Sequence, residues 1–140
     1  MMSRNLENLV RARALKPEPA DQQEFDNLLR SGKTRLKDAR HVDLSVESRF
    51  DLAYNAAHAL ALAALRWKGY RTEKRYYVFQ CIPHTAGLGP DVWKVLALCH
   101  DRCNKAEYEG VIDIDEQLLR DLIIAVEKLQ NAVKALGPVP

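Results

Sequence analysis

Apolar residues recur along this chain at steps of three and four, and the stretches between them end at proline, glycine or short polar runs. Leu6, Leu9 and Val10 share one face of a short helix within residues 3–15. Lys16-Pro17-Glu18-Pro19 breaks it, because two prolines fix the backbone and remove donors. A second helix begins near Pro19 or Ala20. Its seam of Phe25, Leu29, Gly32, Leu36 and Ala39 is narrow and its other faces are charged, so it packs on the outside of the fold.

Ser45 is placed to cap a third helix, in which Val46, Phe50, Ala53, Tyr54, Ala57, Leu60, Ala61 and Leu65 all require apolar neighbours. Its many alanines between Ala53 and Ala64 predict close helix–helix approach on more than one side, which makes it the central helix. Gly69 ends it in a left-handed cap. A shorter helix holds Tyr76, Tyr77, Val78, Phe79, Cys81 and Ile82; Pro83 limits it, and residues 84–89 read as a loop. Pro90 then sits in the first turn of a long helix that runs to Gly110. Asp113 and Glu116 have the spacing of a capping box, and Leu119, Leu122, Val126, Leu129, Val133 and Leu136 follow in helical register to Gly137-Pro138.

With no strand pattern and no repeat, these elements predict an all-α fold. The form expected is an antiparallel up-and-down bundle of about five helices in a single domain. Residues 1–18 form an N-terminal helix and linker, and residues 19–137 form the bundle.

Composition adds little beyond this. A hydrophobic content of 47% and a charged content of 29% are those of a water-soluble fold, and a formal net charge of +2 is too small to indicate a nucleic-acid binder without a local cluster. Cys81, Cys99 and Cys103 include no CxxC pair and have no zinc-spaced histidines, so neither a metal nor a cofactor is expected. The opening Met-Met-Ser-Arg-Asn-Leu-Glu lacks the apolar core of a secretory signal, and the apolar run from Leu52 to Leu65 is too short to span a bilayer. A cytoplasmic protein without membrane contact is expected.

The helix from Pro90 to Tyr108 changes character along its length. Val92, Leu96, Cys99, Cys103 and Ala106 form an apolar arc, while His100, Asn104 and Glu107 lie on one side of it and Arg102 on the opposite edge. An arginine at the edge of a core needs a carboxylate, a carbonyl or a phosphate.

The run Arg102-Cys103-Asn104-Lys105-Ala106-Glu107-Tyr108-Glu109-Gly110 resembles the end of the motif-bearing helix of HEPN domains, which are small helical bundles of prokaryotic toxin–antitoxin and defence systems and of RNA-processing proteins. Ser48-Arg49-Phe50-Asp51-Leu52-Ala53-Tyr54-Asn55-Ala56-Ala57 is similar to their alanine-rich helix, and Gly69-Tyr70-Arg71 to the turn after it. The resemblance covers residues 25–136. It implies a homodimer, a possible cognate toxin, antitoxin or nucleotidyltransferase-like partner, and RNA as a ligand. Active HEPN ribonucleases follow the arginine, four to six residues later, with a histidine. Arg102 matches the arginine, but Glu107 stands where the histidine would be and no histidine follows in the chain. Arg102 and Glu107 are thus the candidates for any catalysis, with Asn104 and Tyr108 beside them, and a carboxylate at Glu107 argues against cleavage.

A second cluster is basic and aromatic. Arg66, Lys68, Arg71, Lys74 and Arg75 are opposed only by Glu73 and interleaved with Trp67, Tyr70, Tyr76 and Tyr77, a mixture that can hold phosphates and stack bases. The same residues also suit a solvated helix end or a protein-binding surface. No Walker loop, GxGxxG, HExxH or nucleophile elbow is present. The functions expected are therefore a non-catalytic HEPN-like binder of RNA, nucleotide or protein; a divergent metal-independent ribonuclease using Arg102; or an antitoxin-like interaction module.

Overall fold

Seven helices and one two-residue strand pair make up the residues described by the computed structural model, which are 4–110 and 114–140, with the backbone only at 107–109. Helix α1 spans Arg4–Arg11, α2 Gln22–Ala39, α3 Val46–Trp67, α4 Arg75–Gln80, α5 Ile82–Thr85, α6 Pro90–Glu109 and α7 Glu116–Ala135; β1 is Lys16–Pro17 and β2 Tyr70–Arg71. The fold is all-α, as the periodicity predicts.

Helix α3 is the centre of the bundle. It packs against α2, α7, α4, α5, β2 and α6, and Phe50, Ala53, Tyr54, Ala56, Ala57, Leu60, Ala61, Ala63, Ala64 and Leu65 are all buried. Small residues let its neighbours come close. The clearest case is Gly32 on α2: a Cβ there would lie 2.4 Å from Leu60 Cγ, so only glycine fits the crossing. The seam of α2 is buried at Phe25, Gly32, Leu36 and Ala39, while Leu29 is half-buried. Helix α7 lies against α3, α6 and α2, and buries Leu119, Leu122, Val126, Leu129 and Val133.

Most ends fall where the chain chemistry sets them. The Ser45 side chain accepts from Ser48 N, Pro90 occupies the first turn of α6, and Gly69, Gly110 and Gly137 take left-handed backbone after α3, α6 and α7. Three local expectations are corrected. The cap of α7 is Asp115, whose carboxylate accepts from Leu118 N; Asp113 lies outside the described residues. Pro83 does not end the helical region. It falls in the first turn of α5, where its missing N–H is not needed, so the expected loop begins only after Thr85. A strand pair also exists: β1 meets β2 antiparallel, with Lys16 opposite Arg71 and Pro17 opposite Tyr70. A ladder this short leaves no period in the sequence, because tertiary docking aligns it.

That ladder fastens the N-terminal segment to the bundle. Leu6 and Leu15 join the core, and Glu18 N donates to Gly69 O at 3.0 Å.

Candidate functional site

A cleft opens between α4–α5 and α6. On α6, Trp93, Ala97 and His100 are spaced four and three apart and so share one face. Opposite them stand Tyr76, Phe79 and Gln80 of α4, with Pro83 and His84 of α5. The helical turn at Pro83 matters here, because it carries His84 to the cleft wall. The enclosed space is about 400 Å3, within the range of small-molecule sites. Three aromatic rings and two imidazoles line it, and Lys94 Nζ stands 5.8 Å from the Trp93 ring centroid.

Polar partners fix the inner wall. His100 Nδ1 is 2.9 Å from the Tyr54 hydroxyl, and Asn104 Nδ2 donates to His100 Nε2 at 3.2 Å. A neutral ring that accepts at Nε2 carries its proton on Nδ1, facing Tyr54. The guanidinium of Arg75 lies 5.4 Å from the Tyr54 ring centroid. Burial pushes the Tyr54 hydroxyl up to about 12 despite the opposing hydrogen bond from Arg75, so it stays protonated at neutral pH. Phe79 meets Tyr54, His58 and His100 in edge-on or near edge-on contacts. Burial, and then the positive charge of Arg75, bring His58 down to about 4; it is neutral near pH 7 and packs behind Phe79. His84 has Asn5 Nδ2 of α1 at 3.4 Å from its Nδ1.

The basic–aromatic segment divides into separate environments. Arg66 is 2% exposed, and its guanidinium is spent on the protein. Nε donates to Glu24 Oε1 at 2.6 Å, one terminal nitrogen to the carbonyls of Glu18 and Tyr70 at 2.9 and 3.3 Å, and the other to Pro19 O at 2.7 Å. Arg71 pairs with the carboxylates of Glu18, at 2.5 Å, and Glu24. The Arg71 hydrogen bond, ahead of the opposing desolvation, holds the Glu18 carboxyl below the usual range. Partial burial raises that of Glu24, but bonds from Arg71 and Arg66 outweigh it and leave it lowered. Arg66, expected as an anion contact, is instead interior to this network, and Arg71 is neutralised by it. Lys68 is exposed, with Nζ 5.1 Å from the Trp67 ring centroid, at the end where Trp67 Nε1 donates to the carbonyls of Gly137 and Pro138. At the start of α4, Lys74 lines a separate groove with the N-terminal arm, and Arg75 stands over the Tyr54 ring.

Arg102 does not share the cleft. It lines a groove between α6 and the start of α7 with Leu98, Asp115, Gln117, Leu118 and Asp121. The edges of α6 that carry His100 and Arg102 therefore serve different cavities. Asn104 reaches His100, while the side chains of Glu107 and Tyr108 lie outside the described residues. Burial pushes the thiols of Cys81 and Cys99 up to about 12, so both are protonated core residues. Among the described residues, no three His, Cys, Asp or Glu side chains group to hold a metal ion, and no helix is long and apolar enough to cross a membrane.

Trp93, Phe79, Gln80 and His84 were not singled out as site residues from sequence. The spacing of Trp93, Ala97 and His100 marks a common face, but nothing local says that α4 and α5 stand across from it. No protein-family model matches the chain, and neither does any curated protein or solved structure.

Proposed function

We propose that the protein is a HEPN-like, non-catalytic binding module for RNA or nucleotide, and that a base lodges in the cleft between α4–α5 and α6. The observation that carries this is the cleft itself. Tyr76, Phe79 and Trp93 offer ring faces and edges, His84 and His100 offer polar atoms, and the volume suits one planar heterocycle. Lys94, whose Nζ stands near the Trp93 ring, is the cation placed to meet its phosphate. Binding is favoured over cleavage because His100 and Arg102 line different cavities and no histidine follows Arg102. We place the protein in the cytoplasm as a homodimer, with Leu98 on α6 and Ile124 on α7 as exposed apolar surface for pairing. A cognate toxin, antitoxin or nucleotidyltransferase-like protein belongs to the same proposal.

Calorimetric titration with uridine and adenosine monophosphates tests the cleft. Measurable binding is expected, weakened roughly tenfold or more by Trp93→Ala, since stacking on one aromatic ring is worth about 1–3 kcal/mol. Single-stranded RNA incubated with the protein in EDTA stays intact. Cleavage abolished by Arg102→Ala would replace binding with a divergent ribonuclease, and a monomer in light scattering at tens of micromolar would remove the dimer.

A further inference from the structure

The N-terminal arm forms a second groove on the other side of the start of α4. Val10, Arg13, Ala14, Leu15, Lys16 and Pro17 face Arg71, Thr72, Glu73 and Lys74 across about 590 Å3. Its lining carries four cations and one carboxylate. Arg71 is already neutralised by Glu18 and Glu24, which leaves Arg13, Lys16 and Lys74 against Glu73. That local excess equals the formal charge of the whole chain, +2, so the rest of the molecule is close to balanced. Arg13, Lys16 and Lys74 are exposed, and no ion pair joins any of them to a carboxylate among the described residues. Arg13 has φ +63, a left-handed conformation that a long side chain rarely adopts; Leu15, buried just beyond, fixes the chain there.

The groove and the cleft meet at α4. Lys74 lines the groove and has its Nζ 6.0 Å from the Tyr77 ring centroid. Tyr77 meets Tyr76 edge-on at 5.6 Å, and Tyr76 lines the cleft. Cations therefore give way to aromatic rings along one helix end, in the order that a chain of phosphates carrying planar bases requires. An acidic peptide would match the cations but has no systematic use for the rings.

We infer that this groove holds the sugar–phosphate backbone of a single-stranded RNA whose base occupies the cleft. The inference rests on the proposed cleft function and adds to it: the ligand is a polymer, and the N-terminal arm is part of its binding surface.

The test uses a fluorescein-labelled twelve-nucleotide oligouridylate in fluorescence anisotropy and uridine monophosphate in calorimetry. The full chain is compared with the triple variant Arg13→Asn, Lys16→Gln, Lys74→Gln. Asparagine tolerates the left-handed backbone at position 13, and all three side chains are exposed, so an unchanged circular dichroism melt is expected. With three phosphate contacts removed, the slope of log K against log salt falls by about 2 and oligomer affinity drops roughly 100-fold near 0.1 M salt, at about 0.7 per phosphate. Mononucleotide affinity stays the same. Equal oligomer binding by both proteins overturns the groove, as does an oligomer that binds wild type no more tightly than the mononucleotide. So does a twelve-residue polyglutamate that displaces the oligomer at equal concentration, which would assign the groove to an acidic protein. Loss of mononucleotide binding alone, with salt-dependent oligomer binding intact, overturns the cleft and leaves the groove standing.

Discussion

At the C-terminal end of α3, Arg66 and Arg71 meet Glu18, Glu24 and three backbone carbonyls in one network. About three turns earlier on the same helix, Tyr54 reaches His100 beneath a cleft whose rings and imidazoles face open space. Both clusters look functional as residue types. The difference lies in where their hydrogen-bonding capacity goes. In the first it is closed within the fold, binding the N-terminal segment to the α3–β2 turn; removing a partner there strands buried charge. In the second, polar atoms brace a wall whose rings also line an open cleft.

The comparison predicts unequal responses to mutation. Arg66→Met removes the donor to the carbonyls of Glu18, Pro19 and Tyr70 and to Glu24 Oε1, leaving Glu24 paired with Arg71. The unfolding free energy in urea is expected to fall by about 3–5 kcal/mol, and Arg66→Lys does not restore it, because an ammonium cannot reproduce the five-donor fork. A loss under 1 kcal/mol would mean that the network does not close this end of the bundle.

The pH dependence separates the two regions. His58, near 6.5 when unfolded and about 4 when folded, is neutral in the fold. Its contribution is complete above pH 6.5 and is lost as pH falls toward 4, with a slope of at most about 1.4 kcal/mol per unit. Glu18 and Glu24, whose carboxyls are lowered in the fold, contribute above the ordinary carboxylate range and lose that contribution only as pH falls below it. His58→Leu should flatten stability between pH 6.5 and 4, and Glu24→Gln should alter only the more acid limb. Titrations by chemical unfolding that show one shared window would merge the regions.

Tyr54→Phe makes the smallest change. Losing its bond to His100 costs about 0.5–1.5 kcal/mol and loosens the cleft wall, so calorimetry should show mononucleotide binding reduced a few-fold. A destabilisation as large as that of Arg66→Met would make the inner wall as structural as the ion-pair end.

What the sequence disclosed follows the range of the interactions. Ser45 as a cap, Pro90 as a helix start, Gly69 and Gly137 as stops, and the buried series on α3 and α7 are local, and local spacing reveals them. Asp115 outcompetes the Asp113 expectation by a shift of two positions that period alone does not resolve. Arg66 was legible as a cation but not as a buried one, since its acceptors Glu24 and Pro19 lie 42 and 47 positions away. The cleft was half visible. The polar end of α6 and the aromatics of α4 both stood out, but that they meet across α5 depends on tertiary packing. Arg102 stands out by residue type and motif position, yet the structure puts it in a groove with Asp115 and Asp121 and away from the rings.

The two tryptophans give this arrangement an optical consequence. Trp93 lies in the cleft, and Trp67 donates to the carbonyls of Gly137 and Pro138 at the opposite functional end of α3. Each indole carries its own lysine near the ring, Lys94 and Lys68. Replacing either with phenylalanine leaves a single tryptophan, which can be excited apart from the five tyrosines: Trp93 then reports occupancy of the cleft, and Trp67 detachment of the C-terminal tail, with no label attached.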